Sequence, residues 1–433
     1  MRDDPSTGMV IPPASTPTVA REGETYVLTW DDGAARIEVA RIRDTHGDTT
    51  GEIKVSAGLP PRKGCIEWGR LNLSAIPTRT NMARTLSERA PGFDWQGALL
   101  QTATIVVAAI RRGTPGVDLK DVPPREGTRW VIWPYVELGG PTVLYAKGES
   151  CKSVLALGMA LSLATGQTVV GTPKVPPLRS LYLDWETDAD THAERLRAMV
   201  DANLFATDVP SIHYRRMTAP LAEAAVDLKA EIQDKRIGFV VADSLTYALG
   251  SDVNDASAVA SFYMAARLLS VPFLGITHVR KDAGNDGGET TPFGSIYWNN
   301  GARIVWEAEA LKEEGSSVVR VRLQHRKGNN VRRQMQHGYS LDFRNVGPDE
   351  DELVGLTVKN LDLTTVPEFA ARLTWKRRLE GVLRHGGKPL ADIADELGET
   401  NPDKVSTALN RAVKAGYVTH MNDGRWGLAT RQA

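Results

Sequence analysis

The sequence predicts an α/β protein whose parallel core sheet is extended by antiparallel strands, with a small N-terminal α+β domain and a C-terminal winged helix-turn-helix. Three observations predict it. Short apolar runs at 142–146, 181–184, 237–243 and 272–277 alternate with helical stretches at 153–164, 189–202 and 256–269, the texture of βαβ units. Two alternating runs, 25–30 and 35–40, flank an Asp31-Asp32-Gly33 turn near the start, the pattern of a hairpin. After Thr374, helical segments at 379–384, 390–397 and 402–414 precede a second hairpin built around Asn422-Asp423-Gly424.

The elements follow in order. Residues 1–18, rich in Asp, Pro, Ser and Thr, read as a flexible leader. An accessory domain then occupies 19–125, with the hairpin, a run at 68–73 and helices near 81–89 and 94–111. Its Trp30, Trp68 and Trp95, and Trp130 just beyond, read as core fillers. Pro115, Pro123 and Pro124 mark the linker that closes it. The parallel core occupies 126–360, and strand-like runs near 302–309, 318–323 and 338–343 follow one another without helices. The winged-helix domain takes 361–433.

Composition narrows the function classes. The 433 residues carry 52 Lys and Arg against 53 Asp and Glu, so a nucleic-acid surface must be local rather than a basic coat. Two cysteines, Cys65 and Cys151, are too few for a disulfide scaffold. No apolar run reaches the roughly 18–20 residues of a membrane span, and the polar, Pro-rich start lacks an export signal's apolar segment. The expectation is a cytoplasmic protein with no membrane partner.

The sharpest motif is Ala146-Lys147-Gly148-Glu149-Ser150-Cys151-Lys152-Ser153, between an apolar strand and an apolar helix. A polyphosphate needs backbone N–H groups wrapped around it at a helix N-terminus, a Lys to neutralise it and a hydroxyl for Mg²⁺. Residues 147–153 meet those needs, with Lys152 and Ser153 in the last two roles. The pattern G-x-x-x-x-G-K-[ST] has Gly where this chain has Ala146 and Cys151. A thiol at that helix N-terminus is expected to have a lowered pKa and to alkylate readily. Phe239-Val240-Val241-Ala242-Asp243 is an apolar strand ending in a carboxylate suited to the Mg²⁺ side of a nucleotide. A further strand ends in Asp184-Trp185-Glu186, where Glu186 can polarise a water or simply cap the next helix. His278 ends yet another strand, where ligands gather in parallel sheets.

Taken in order, these motifs resemble RepA-type plasmid and phage replicative helicases, hexameric members of the RecA-like P-loop ATPases. The resemblance rests on Asp243-Ser244-Leu245, Gly250-Ser251-Asp252-Val253-Asn254-Asp255 and Thr277-His278-Val279-Arg280-Lys281, and covers about half the chain, from Trp133 to Phe343. It implies ATP and Mg²⁺ as ligands. Lys152 and Ser153 would hold phosphates and metal, Glu186 would be the catalytic carboxylate, Asp243 the metal-side carboxylate and His278 the γ-phosphate sensor. It also implies that Gln324-His325-Arg326-Lys327 carries a basic finger into a neighbouring subunit, with Arg326 preferred and Lys327 in reserve, and hence a ring, expected to be a hexamer. Cys151 departs from the family's Gly and bears on hydrolysis more than on binding. Loops at 279–289 line the channel in ring-shaped relatives, which points to Arg280 and Lys281 as contacts to single-stranded DNA. In the winged helix, Lys404, Arg411 and Lys414 are the candidate DNA contacts. Two rival readings stand beside the motor: a recombination or loader ATPase that does not unwind, and a nucleotide-binding DNA regulator with little turnover.

Overall fold

The computed structural model describes residues 2–3, 10–22, 24–45, 47–58, 64–113, 116–202, 211–279, 296–349 and 351–429. Arg280 and Lys281, and the rest of the predicted loop beyond Val279, lie outside them. The chain divides into two compact units. One holds residues 1–127 with 222–237 and 268–270; the other holds 128–221, 238–267 and 271–433.

The first unit is an antiparallel sheet backed by helices. Strands β1 (Thr18–Glu22), β2 (Thr25–Trp30), β3 (Ala35–Thr45), β4 (Asp48–Ala57) and β5 (Gly64–Asn72) pair in sequence order. Side chains alternate between sheet faces, and the inward set, including Leu28, Trp30, Ile37, Val39, Ile53 and Val55, is fully buried. It packs with Leu86 of α1 (Ile76–Arg89) and Trp95, Leu99 and Val106 of α2 (Trp95–Arg112) in one core. Asp94 caps α2 by accepting from Gly97 N at 3.1 Å, and its other oxygen accepts from Ala14 N at 3.2 Å. Ser15 Oγ donates to Asp31 at 2.7 Å. Ala14 and Ser15 are therefore tied down rather than part of a free leader, because a helix cap and a turn aspartate satisfy their polar groups. Trp68 also departs from expectation: it is 68% exposed on β5, with its indole N–H bonded to Glu52, so it fills no core. Trp30 and Trp95 are core residues, and Trp130 is half-buried.

The second unit is built on a nine-stranded mixed sheet. Its strands are β6 (Thr142–Ala146), β7 (Arg179–Asp184), β8 (Ile212–Arg216), β9 (Ile237–Asp243), β10 (Phe273–His278), β11 (Ile304–Lys312), β12 (Val318–Gly328), β13 (His337–Val346) and β14 (Glu352–Leu361). The spatial order is β8-β7-β9-β10-β6-β11-β12-β13-β14. β8 runs parallel to β7, β9 to β10, and both β10 and β11 to β6; from β11 onward the pairing is antiparallel. A parallel core with an antiparallel extension is thus the observed architecture. Two strands were not foreseen. β8 reads Ile-His-Tyr-Arg-Arg and is only half-buried, so it carries no apolar run; β14 is the far edge of the extension, where one face suffices to hold a strand. Helix α3 (Lys152–Thr165) is buried almost throughout, from Val154 to Leu163, which explains its nearly continuous apolar sequence. Helix α4 (Ala189–Ala202) follows β7, and α5 (Ala256–Leu268) precedes β10.

The tail of this unit has three helices, α6 (Trp375–Val382), α7 (Leu390–Glu396) and α8 (Pro402–Lys414), and a hairpin of β15 (Val418–His420) and β16 (Trp426–Leu428). Leu379, Ile393, Val405 and Leu409 form its core. Among the described residues no helix is long and apolar enough to cross a membrane.

Candidate active site at the strand ends

β6 ends at Ala146, and the chain turns through residues 147–151 into α3. Glu149 and Cys151 both take φ +58°, the left-handed region that costs a side-chain-bearing residue about 1–2 kcal/mol. A left-handed backbone at this position is one that Gly adopts without cost, which accounts for Gly in the phosphate-loop pattern; Cys151 takes it up at a cost. Gly148 is exposed, with open space around its Cα, so a ligand can approach the backbone closely. Glu149 is exposed and paired with Lys312 at 3.1 Å. Ser150 is buried and donates to the Lys147 carbonyl.

Lys152 is 6% exposed, and its ammonium donates to the Lys147 carbonyl at 3.0 Å. It lies 3.5 Å from both Ser150 Oγ and His278 Nδ1. Burial lowers its pKa, opposed by the charges of Asp243 and Glu186. A buried ammonium held by neutral oxygens is a site prepared for an anion. His278, at the end of β10, is itself held below its ordinary pKa by burial and by Lys152, so it faces the site as neutral imidazole.

Two carboxylates stand across from them. Asp243, ending β9, is buried; it accepts a hydrogen bond from Ser153 and one from the Tyr182 hydroxyl at 2.8 Å. Burial raises its pKa against those two bonds, and Glu186 and Asp184 raise it further. That is the situation a cation would relieve, and the Ser153 hydroxyl beside the carboxylate is a donor set that fits Mg²⁺. Glu186 accepts from the Ser244 hydroxyl, and the Trp185 N–H donates to the Asp243 carbonyl at 2.7 Å, joining the ends of β7 and β9.

Residues that sequence reading passed over hold Glu186 in place. Asp184 is fully buried; its Oδ1 accepts from the N–H of Glu186 at 2.8 Å and of Thr187 at 3.0 Å. Its Oδ2 lies 3.2 Å from His192 Nε2 and accepts from Tyr214 at 3.1 Å. Despite burial, these bonds hold the Asp184 carboxyl well below the usual carboxylate range. The signal was present as a second acid two residues before Glu186.

Lys147, Gly148, Glu149, Ser150, Cys151, Lys152 and Ser153 thus form one turn, and Asp243, Glu186 and His278 converge on it from neighbouring strands. The Cys151 thiol corrects one expectation. Burial pushes its pKa up, outweighing the charges of Lys312, Arg195 and Lys152. Arg326 lies apart on β12, its guanidinium paired with Glu307 at 2.5 Å. Lys327 donates to the carbonyls of Asn299, Asn300 and Ala302, covering the end of the 296–301 helix. Lys404, Arg411 and Lys414 all lie on α8.

Residues 114–284 match the family model described as an AAA domain. The match spans the loop, both carboxylates and His278. No curated protein matches the sequence. Among solved structures, a KaiC-like protein from the hyperthermophilic archaeon Pyrococcus horikoshii is similar at 12% identity and a TM-score of 0.37, over 55% of this chain and 100% of that one. The flagellar accessory protein FlaH from Methanocaldococcus jannaschii is similar at 11% identity and a TM-score of 0.31, over 51% of this chain and 90% of that one.

Proposed function

We propose that the protein is an ATP-dependent motor on single-stranded DNA, of the RepA-like helicase type, acting as a ring. The observation that carries the ATPase part is the meeting of Lys152, Ser153, Asp243, Glu186 and His278 at the ends of adjacent parallel strands. Lys152 neutralises the β- and γ-phosphates, and the N–H groups of the 147–151 turn and the start of α3 bind their oxygens. Mg²⁺ held by Ser153 and Asp243 would neutralise the charge that develops between those phosphates. Glu186, fixed by Asp184 and Ser244, orients a water toward the γ-phosphate and takes its proton. Neutral His278 donates a hydrogen bond to the γ-phosphate, and loss of that bond after hydrolysis reaches β10.

Arg326 completes the reading. Its planar guanidinium suits a phosphoryl group across an interface, and reaching one requires leaving Glu307. Assembly and finger release are then one event, which makes turnover depend on protein concentration. The left-handed Cys151 favours a second reading, a nucleotide-binding regulator with slow turnover. An ATPase assay with and without single-stranded DNA, run beside a strand-displacement assay, tests both. Stimulated hydrolysis with strand separation is expected. Hydrolysis without separation overturns the motor in favour of a loader, and nucleotide binding without turnover favours the regulator.

A further inference from the structure

Two adjoining concavities line the junction between the antiparallel extension of the sheet and the tail. The larger, about 1020 Å³, is bordered by Arg333, Arg372, Lys376, Arg377 and Arg384 against a single lining carboxylate, Glu380. The smaller, about 400 Å³, is bordered by Lys404 and Arg411 of α8, by one carboxylate, Asp403, and by Trp375. Tyr417 lines both, so the two adjoin at an aromatic side chain.

Several of these cations are paired within the chain, Lys404 with Glu399 at 3.4 Å among them, but cations outnumber the lining carboxylates Glu380 and Asp403. Arg372 shares Glu309 with the buried Arg322, and Arg384 pairs with Asp362. Arg377 donates to the neutral Gln336 carbonyl, and Lys376 is 3.9 Å from Glu380 while its ammonium sits 5.1 Å over the Tyr417 ring. Arg333 is exposed at the rim. A groove with cations along its length and aromatic rings at its middle is the arrangement that tracks a phosphodiester backbone while bases stack. Because Lys404 and Arg411 border a concavity shared with Trp375 and Tyr417, they serve a strand lying in that groove better than a duplex met by a protruding helix.

We propose that this groove is a single-stranded nucleic-acid track, running from Arg333 past Tyr417 to Lys404 and Arg411. The proposal rests on the reading of DNA as partner, and names where on this chain the strand is held.

The test is fluorescence anisotropy of labelled oligo(dT), about twenty nucleotides long, with the full-length chain. The wild type is compared with the double variant Arg333→Glu, Lys376→Glu, both at exposed positions. Binding at about 0.1 M salt should weaken at least tenfold, and the salt slope should fall by about 1.4, since each single-strand phosphate contact contributes about 0.7. Binding of a fluorescent ATP analogue should be unchanged, which shows that the variant is folded. A wild type that binds oligo(dT) with a variant that binds equally well overturns the groove alone. A wild type that does not bind overturns the groove together with DNA as partner. A stronger preference for duplex, or equal competition by polyglutamate, also overturns the groove, pointing to a helix in a duplex groove or to an acidic peptide.

Discussion

At Lys152 the energetics are those of a buried cation whose partners are neutral oxygens and a neutral imidazole. Replacing it by Ala removes the charge that a polyphosphate requires. Lys152→Ala should weaken ATP binding at least tenfold, read by isothermal titration, and bring hydrolysis to background. Cys151 is the other residue-scale test. Its left-handed backbone is strained with any Cβ, while Gly adds unfolded-state entropy, so the two effects partly offset. Cys151→Gly should leave stability unchanged or raise it by up to about 1 kcal/mol, read by denaturant unfolding, with hydrolysis no slower than in the native sequence. Burial pushes the thiol pKa up, so alkylation of the native protein should be slow and should accelerate only on unfolding.

At the scale of elements, the proposed mechanism turns on the end of β7. Asp184 accepts the two backbone N–H groups that orient the Glu186 turn, while His192 and Tyr214 fix its second oxygen. It is a positioning residue. Asp184→Asn keeps the size but loses acceptor strength, and should lower kcat by roughly 10–100-fold with little change in KM, measured in steady-state kinetics. Packing of another strand sets the acid response. His337 on β13 is packed among Trp133, Tyr135 and Trp306, and burial with the nearby Arg377 charge holds its pKa down to about 4. The unfolded chain takes up that proton near the ordinary value of 6.5 and the folded chain only near 4. Stability from this group is therefore full above pH 6.5 and falls as pH drops from 6.5 toward 4. Asp184, depressed for the opposite reason, adds a loss at lower pH still, as its carboxylate is forced to protonate. Thermal unfolding should show a lower Tm at pH 4.5 than at pH 7, and His337→Gln should flatten the upper part of that decline, between about pH 6.5 and 5.

At the scale of the whole molecule, the reading depends on a site shared between copies. Arg326→Ala should keep nucleotide binding and lose most turnover, and mixing it with Glu186→Ala subunits should restore part of the activity. Each variant spoils a different half of an interface, so a mixed assembly still contains some complete ones. Co-assembled mixtures that never exceed the single variants would show that Glu186 and Arg326 do not meet.

The sequence by itself determined the strand–helix alternation, the turn at 147–153 and the strand-end positions of Asp243, Glu186 and His278. Those features are written in local signals: apolar runs, a Lys-Ser pair at a helix start and carboxylates at strand ends. It also marked the helices and hairpin of the tail, where a polar face and turn residues are visible in a few residues. Only the tertiary structure decided what depends on distant partners. Trp68 was kept out of the core by its place on the exposed side of β5, and β8 became a strand because β7 offered it a partner. The role of Asp184 emerged only when His192 and Tyr214 folded onto its second oxygen, and the thiol of Cys151 changed its expected direction once burial outweighed the charges around it. The basic groove is the plainest case: Arg333 and Arg411 are 78 positions apart in a chain of near-zero net charge, and only packing of the tail against the sheet extension puts them along one line. Burial, pairing and juxtaposition are sums over neighbours remote in sequence, and composition and periodicity carry no record of them.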